Sequence, residues 1–264
     1  MRRRTANYDN LDWLAGKKVH LKVAQNVIMP YFGGISNILK IFFTNLAKAL
    51  FAVSLATVIL SGVLAVAFNS RALYLYGFQK YNVAATTGLS QTELNKAATG
   101  LISYFNSGEE FINISVTKDG QTFELFNERE IVHLKDVKGL FWLDYRVLAI
   151  GLAYILGFIL WTVSRKPRRW RELAGGILGG SALLLGVMAA LGIASAINFN
   201  WLFYQFHFIS FANDFWMLDP TRDYLIMLFP SGFWFDVFIY CVVAAGVISV
   251  VLGMLAWRYL ARSK

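Results

Sequence analysis

Four stretches of the chain carry no charged residue over the length that a helix needs to cross a membrane. They are predominantly apolar and span 18 to 27 residues: Ala49–Phe68, Val147–Ser164, Leu173–Phe199 and Val237–Trp257. Because a helix needs roughly 20 apolar residues to cross the hydrocarbon core, we interpret all four as transmembrane helices. Leu140–Leu143 can extend the second and shortest stretch at one end.

The segment between the first two spans, 69–142, has the pattern of a small folded unit, which we call the cap. Ser90–Glu93 has the sequence of a capping box and predicts a helix from Gln91 to about Phe105. Apolar and polar residues then alternate from Ile112, and an Asp-Gly pair within Lys118–Gln121 predicts the turn of a β-hairpin that continues to Phe126.

A second helix is predicted to follow the hairpin and to lead into the second span. Asn127 can cap it, with Glu130 three residues on, and it carries His133. The fold class predicted by the whole pattern is an all-α polytopic membrane protein, a four-helix bundle with a small α+β cap.

The third span contains two overlapping Gly-x-x-x-Gly patterns, which start at Gly175 and Gly176. Small residues at this spacing let helix backbones approach closely, so we interpret them as packing positions. No span carries an ionisable residue at its middle, which argues against an ion-driven transporter.

The distribution of charge predicts the orientation in the membrane. The net charge is +9, and 16 of the 25 Lys and Arg residues lie in the first 48 residues, in Arg165–Arg171 and in the tail from Arg258. Basic segments stay in the cytoplasm. We therefore interpret the basic total as topology rather than nucleic-acid binding, with both termini inside and 69–142 and 200–236 outside.

These boundaries divide the chain into nine segments. They are the basic N-terminal arm 1–48 (with Pro30 and Gly33-Gly34 as breakers), TM1 49–68, the cap 69–142, TM2 143–164, a basic loop 165–172, TM3 173–199, an aromatic His/Asp loop 200–236, TM4 237–257 and a tail 258–264.

Two of the three histidines are predicted to lie on the outer side. His133 stands between Glu130 and Asp136, either of which could orient its ring or raise its pKa, and His207 lies in the aromatic loop. His20 is on the opposite side. Histidine suits proton transfer near neutral pH, although a surface histidine taken alone is usually structural.

The aromatic loop is rich in candidate site residues. If Trp201–Leu218 is helical, His207, Phe211, Asp214 and Leu218 share one face. Asn213 and Asp214 could contact the substrate or support the site, or they could be structural only. The structural interpretation of Trp216 is an anchor at the membrane surface.

A proline after Asp219 is expected to end this predicted helix. Asp219 can then cap the following turn, 221–228. Capping and local salt bridging are therefore the structural interpretation of Asp219, Arg222 and Asp223.

Other chemistries have less support. Cys241 lies in an apolar run and is interpreted as a small buried residue. The sequence contains no Gly-x-Ser-x-Gly elbow, no P-loop and no His-Glu-x-x-His motif, and its histidines and aspartates lack metal-ligand spacing.

Two motifs resemble one family of four-span bacterial membrane proteins, the lipoprotein intramolecular transacylases known as Lit. The first motif is Phe206-His207, Phe211, Asn213-Asp214, Trp216, Leu218-Asp219-Pro220, Asp223, Leu225-Ile226 and Leu228-Phe229-Pro230, and the second is His133–Lys138. The resemblance covers roughly 45–257.

The resemblance implies a reaction within one lipoprotein molecule in the bacterial cytoplasmic membrane. The free α-amine of a diacylglyceryl-modified N-terminal cysteine would attack the sn-2 ester, and the acyl chain would move to nitrogen, leaving a lyso-form lipoprotein. Donor and acceptor share one molecule, so no cofactor, acyl carrier or metal is expected. The implied partners are the diacylated lipoprotein and membrane lipid, with no nucleic acid.

The implied chemistry assigns roles to the candidate residues. His207 is the leading base and His133 its acid/base partner, or the reverse, and Asn213, Asp214, Trp216, Asp219 and Asp223 are assigned to substrate binding. Two other functions stay open: a non-enzymatic envelope sensor or partner-binding protein, and a lipid hydrolase, with or without a metal, that uses the same residues.

Overall fold

The computed structural model describes residues 29–164 and 170–263, with side chains from Asn37 onward. The predictions for His20 and for most of the basic loop lie outside these residues. The described residues fall into two compact units, one up to residue 49 and one from residue 50 onward. Helix α1, Met29–Asn69, begins 20 residues before the predicted first span and runs through Pro30 and Gly33-Gly34. Pro30 is tolerated because it lies in the first turn, where a backbone N–H has no partner within the helix.

Four helices of the described residues are long and apolar enough to cross a membrane: α1, α5 (Glu128–Val163), α6 (Trp170–Ser210) and α8 (Ser231–Arg262). Many large apolar side chains on their flanks are exposed, among them Ile150, Leu160 and Ile197. Such surfaces are expected to face lipid rather than water. Together with the small sheet, these helices confirm the predicted fold class.

The glycines of α6 allow it to pack closely on α1. A Cβ at Gly176 would lie 2.6 Å from the ring of Phe51, and one at Gly180 would lie 2.7 Å from the carbonyl oxygen of Ala52. No space for a side chain exists at either position, which agrees with the interpretation of this stripe as packing positions.

The cap folds largely along the predicted pattern. Its elements are α2 (Arg71–Lys80), α3 (Val83–Thr87), α4 (Gln91–Asn106), β1 (Ser115–Lys118) and β2 (Gln121–Glu124). Ser90 caps α4 by accepting a hydrogen bond from the amide of Glu93, and the antiparallel strands turn at Asp119 and Gly120, both with positive φ. Helices α2 and α3 were not predicted.

The first half of α5 belongs to the cap end of the molecule. Asn127 and Glu130 form the predicted capping box, each side chain bonding the other's backbone N–H. Residues 128–146 carry charges and lie outside the uncharged stretch of α5, Val147–Val163. The helix therefore extends beyond the membrane-crossing stretch and presents His133 there.

Helix α6 bends at Asn198, whose backbone is extended (φ −160°, ψ 92°). The Asn198 side chain accepts a hydrogen bond from the amide of Trp201 and so caps the last segment of the helix. This segment ends at Ser210, so the prediction of a helix to Leu218 was wrong. Asn213 bonds the amide of Phe215 instead, a local turn that competes with helix.

Beyond this turn the chain forms one short helix before the last span. Helix α7, Tyr224–Leu228, buries Leu225 and Leu228. The chain then enters α8 at Ser231.

Candidate active site

Two helices that are far apart in sequence bring the two candidate histidines together. His133 lies near the start of α5 and His207 in the last turn of α6, and their ring centroids are 6.0 Å apart with an interplanar angle of 33°. Phe211 packs against both rings, at 5.0 Å from His133 and 5.5 Å from His207. The fold therefore brings together two histidines that are 74 residues apart in sequence.

His133 is held in a dry environment. It is 6% exposed, and its Nδ1 has no hydrogen-bond partner among the described residues. Burial and the neighbouring His207 lower its pKa to about 4, and Asp136 only partly opposes them. Asp136 thus raises this pKa, as a neighbouring carboxylate was expected to do, but burial and His207 outweigh it, and the ring is neutral at pH 7.

Glu130 and Asp136, the carboxylates beside His133 in sequence, are engaged elsewhere. Glu130 is 1% exposed, and its two oxygens accept hydrogen bonds from the backbone amides of Asn127 (2.8 Å) and Leu225 (2.6 Å). Burial raises the pKa of Glu130, while these two bonds oppose the shift. Glu130 thus ties the first turn of α5 to α7, three residues before His133.

The ring of His207 is oriented by the backbone. Its Nδ1 lies 2.8 Å from the carbonyl oxygen of Phe203. Because a carbonyl oxygen only accepts, Nδ1 carries the proton, and Nε2 of the neutral ring keeps its lone pair. The ring packs against Trp216, with centroids 5.1 Å apart, and it is half-buried.

The predicted substrate residues divide into two groups. Asn213 donates to Asp136 (2.8 Å), Trp216 contacts His207, and the side chain of Asp214 is exposed close to them in sequence. These three accompany the histidines, although Asp214 and Leu218 do not share the helical face of His207, because α6 ends earlier.

Asp219 and Asp223 take part in a local hydrogen-bond network. Asp219 accepts bonds from the amide and hydroxyl of Thr221. Asp223 is buried and accepts bonds from Asn127 (2.9 Å) and from the amide of Asp219 (2.7 Å). Arg222 lies 3.7 Å from Asp219 and 3.6 Å from Asp223, as in the capping and salt-bridging interpretation.

Sequence reasoning did not assign Glu130 its tie to α7, and it overlooked Arg129. Arg129 donates to the backbone carbonyl of Asp214 and lies over the ring of Phe215. The capping box was a signal for the position of Glu130, but no local pattern points to its contact with Leu225, 95 residues away.

Many exposed apolar side chains lie close to His207 in sequence, and one of them, Phe206, packs against its ring. These exposed side chains include Trp201, Tyr204, Phe206, Phe208, Ile209, Phe215 and Met217. Aromatic rings with a polar edge are suited to a membrane–water boundary. The site therefore combines titratable groups with a surface on which acyl chains can lie.

Metal ligands and a cysteine nucleophile were also considered. Among residues 29–164 and 170–263, no three His, Cys, Asp or Glu side chains are grouped as a metal site. Cys241 is buried and reduced, within α8.

Comparison with known proteins tests the family resemblance of the two sequence motifs. A protein-family model described as "Lipoprotein intramolecular transacylase Lit" matches residues 49–234. No curated protein gives a significant match.

Solved structures with this fold include the membrane integral lipoprotein intramolecular transacylase Lit from Bacillus cereus. One is 21% identical with a TM-score of 0.68, and the match covers 84% of this chain and 97% of that chain. A variant with a histidine replaced by arginine is 19% identical with a TM-score of 0.69, covering 88% and 97%. A histidine-to-alanine variant is 19% identical with a TM-score of 0.68, and the match covers 86% of this chain and 98% of that chain.

At these identities the structural likeness shows the fold, whereas the family model covers more than half of the chain. The resemblance seen in the two motifs is thereby confirmed. The chain belongs to the lipoprotein intramolecular transacylase family, Lit, and is a multi-pass membrane acyltransferase.

Proposed function

We propose that this acyltransferase moves the sn-2 acyl chain of a diacylglyceryl-cysteine lipoprotein to the α-amine of the same cysteine, using His133 and His207 for proton transfer. The observation that carries the proposal is the meeting of the two rings at 6.0 Å beside an exposed aromatic surface. Family membership supports the lipoprotein substrate.

The reaction needs two proton movements and no enzyme nucleophile. The neutral amine attacks the ester carbonyl carbon, a C–N bond forms, and the bond to the glyceryl oxygen breaks. The nitrogen loses one proton and the glyceryl oxygen gains one, so the products are an amide and a free hydroxyl. General acid–base help of this kind contributes typically about 10²–10⁴-fold to the rate.

The two rings differ in a way that suggests their roles. His207 presents Nε2 as an acceptor because Nδ1 is bonded to Phe203, so it is the leading candidate to take the amine proton. The lowered pKa makes His133 a weaker base. Burial also lowers the pKa of His207, but only His133 is lowered to about 4. We therefore assign His207 to take the amine proton and to pass it to His133. The His133 imidazolium then protonates the departing glyceryl oxygen, and both rings end neutral.

Binding must also hold the amine close to the ester. Trp216, Asn213 and Asp214 accompany His207 and are proposed to contact the headgroup, while acyl chains lie on the exposed aromatic surface. Bringing two groups of one molecule together lowers the entropic barrier to their reaction. Asp219 and Asp223 are proposed to shape the loop, since both carboxylates are used within it.

The reaction is proposed to occur at the extracytoplasmic face of the bacterial cytoplasmic membrane, with both termini inside. The concentration of Lys and Arg in 1–48, 165–171 and the tail supports this orientation.

The test is the lipid form of a lipoprotein co-expressed with this chain in a host that lacks the activity. Mass spectrometry of the N-terminal peptide is expected to show an N-acylated lyso-cysteine with the wild-type chain and an unmodified amine with His207→Ala. Cys241→Ala is the matched control and retains the product. Lyso-lipoprotein formation at the wild-type level by variants lacking either histidine would contradict the assignment. A free amine with released fatty acid would indicate a hydrolase, and no change would favour the sensor function.

A further inference from the structure

A cavity of about 250 Å³ lies beside the candidate active site and is lined by Asn127, Arg129, Arg222 and Asp223. Arg129 and His133 are four residues apart on α5, so they lie on one face of the helix about 6 Å apart along its axis. The backbone of the aromatic loop joins the two places, because Arg129 bonds the carbonyl of Asp214 and Trp216 packs on His207.

The guanidinium of Arg129 is positioned but not satisfied. It is fixed by the carbonyl of Asp214 and lies over the ring of Phe215. Its Nε is buried and has no acceptor among the described residues. A buried donor without a partner is unfavourable, so a small shift of the side chain that brings this Nε to a ligand oxygen would be favoured.

The second arginine of the cavity, Arg222, differs from Arg129 because its side chain is 70% exposed. Its distances to the neighbouring aspartates, 3.6 and 3.7 Å, correspond to weak surface ion pairs. The carboxylate of Asp223 is occupied by Asn127 and by the amide of Asp219. The four lining side chains carry a net charge of +1, which Asp219, 3.7 Å from Arg222, partly offsets. The exposed guanidinium of Arg222 is the donor most open to a ligand.

The position of the cavity selects its ligand. Along α5, Arg129 is farther than His133 from the uncharged stretch that begins at Val147. A diacylglyceryl-cysteine has its chains in the membrane and its reacting groups at the histidines, and the peptide that follows the cysteine must continue away from the membrane. That peptide is the polar part of the substrate that reaches this point.

We propose that this cavity is a peptide subsite, which binds main-chain carbonyl oxygens and acidic side chains in the first residues after the lipid-modified cysteine. The proposal rests on the proposed function for the identity of the substrate. Arg129 and Arg222 are the binding groups, and the positive charge disfavours a basic peptide segment.

Binding of an unreactive lipopeptide tests the subsite without any acyl transfer. The probe has ether-linked chains in zwitterionic nanodiscs, with either one residue or five residues, two of them acidic, after the cysteine. The wild-type chain is expected to bind the longer probe about tenfold more tightly, which corresponds to about 1.4 kcal/mol. In Arg222→Ala the ratio of the two dissociation constants falls to within about threefold.

The ratio is measured on one preparation, so an inactive fraction cancels. Lys96→Ala, which removes an exposed charge from α4, is the control and keeps the tenfold ratio. Equal binding of both probes by the wild type, or equal weakening of both by Arg222→Ala, would overturn the subsite. Competition by anionic phospholipid that depends on Arg222, with no dependence on peptide length, would also overturn it and indicate a lipid phosphate. Since the ether probe cannot react, these outcomes are independent of whether the chain transfers an acyl group.

Discussion

The two histidines of the site reach it from regions of opposite character. His133 stands on a regular helix that begins with a reciprocal capping box and is bonded to α7 through the buried Glu130. His207 stands where a helix ends, one turn before an irregular segment whose aromatic side chains are exposed.

The two regions differ in burial, so they provide different properties to the candidate site. The α5 side is dry and fixed, which keeps His133 neutral. The α6 side is bordered by exposed apolar side chains, on which the proposed function places the lipid chains. A site of this kind can be rigid at one ring and open at the other, and each prediction below alters one side.

The largest structural effect is expected from Glu130→Ala on the fixed side. The change leaves the buried amides of Asn127 and Leu225 without acceptors, and it should lower the free energy of unfolding by about 2–5 kcal/mol. Thermal unfolding in detergent measures this loss. Glu128→Ala, at an exposed neighbouring position, serves as the control. A Glu130→Ala protein as stable as that control would show that the tie to α7 does not hold α5.

A smaller loss of stability is expected at low pH because of His133. Its pKa is about 4 in the folded chain and about 6.5 in the unfolded chain. Between these values the unfolded chain binds more protons, so stability decreases as the pH falls from 6.5 toward 4. The loss between pH 7 and pH 5 is about 2 kcal/mol.

Nuclear magnetic resonance of ¹⁵N-labelled histidine measures the underlying titration. The ring of His133 is expected to remain neutral at pH 5, and the resonance is assigned with His133→Asn. A midpoint near 6.5 would mean that this ring is not held in a dry environment.

The smallest loss of stability is expected from breaking the hydrogen bond of Asn213, whose side chain joins the aromatic loop to α5. Asn213→Leu removes the hydrogen bond to Asp136 and should lower stability by about 1 kcal/mol. The turnover rate is expected to fall several-fold because the Trp216 segment loses one attachment to α5. Ala212→Ser, at the exposed preceding position, is the control in a lipopeptide turnover assay. An unchanged rate would mean that the loop holds its position without this bond.

The regular parts of the fold were predictable because their signals are local. Ser90 with Glu93, Asn127 with Glu130, and the Asp119-Gly120 turn each fix their element within four residues. The end of α6 at Ser210 was not predicted, because a periodic aromatic run favours helix. The local turn from Asn213 to Phe215 competes with it, but the bond of Asn213 to Asp136, 77 residues away, depends on the final fold. Helix α2 lacks a strong apolar period and was missed for that reason.

The candidate site was accessible to sequence reasoning as residue types but not as geometry. The choice of His133 and His207 followed from their rarity and from the motif resemblance. Their distance, the burial that lowers the pKa of His133, and the tie from Glu130 to Leu225 all depend on contacts between distant segments. Such contacts leave no periodic signal in the chain.

The central claim, that both rings serve one proton transfer, is tested most directly by the turnover of a diacyl lipopeptide by purified His133→Asn, His207→Ala and the double variant. Each single variant is expected to lose about 10²–10⁴-fold in turnover rate. The double variant is expected to be only slightly slower than the less active single variant, because the effects of residues that act as a unit are not additive. Losses that multiply in the double variant, or full turnover by either single variant, would contradict the account.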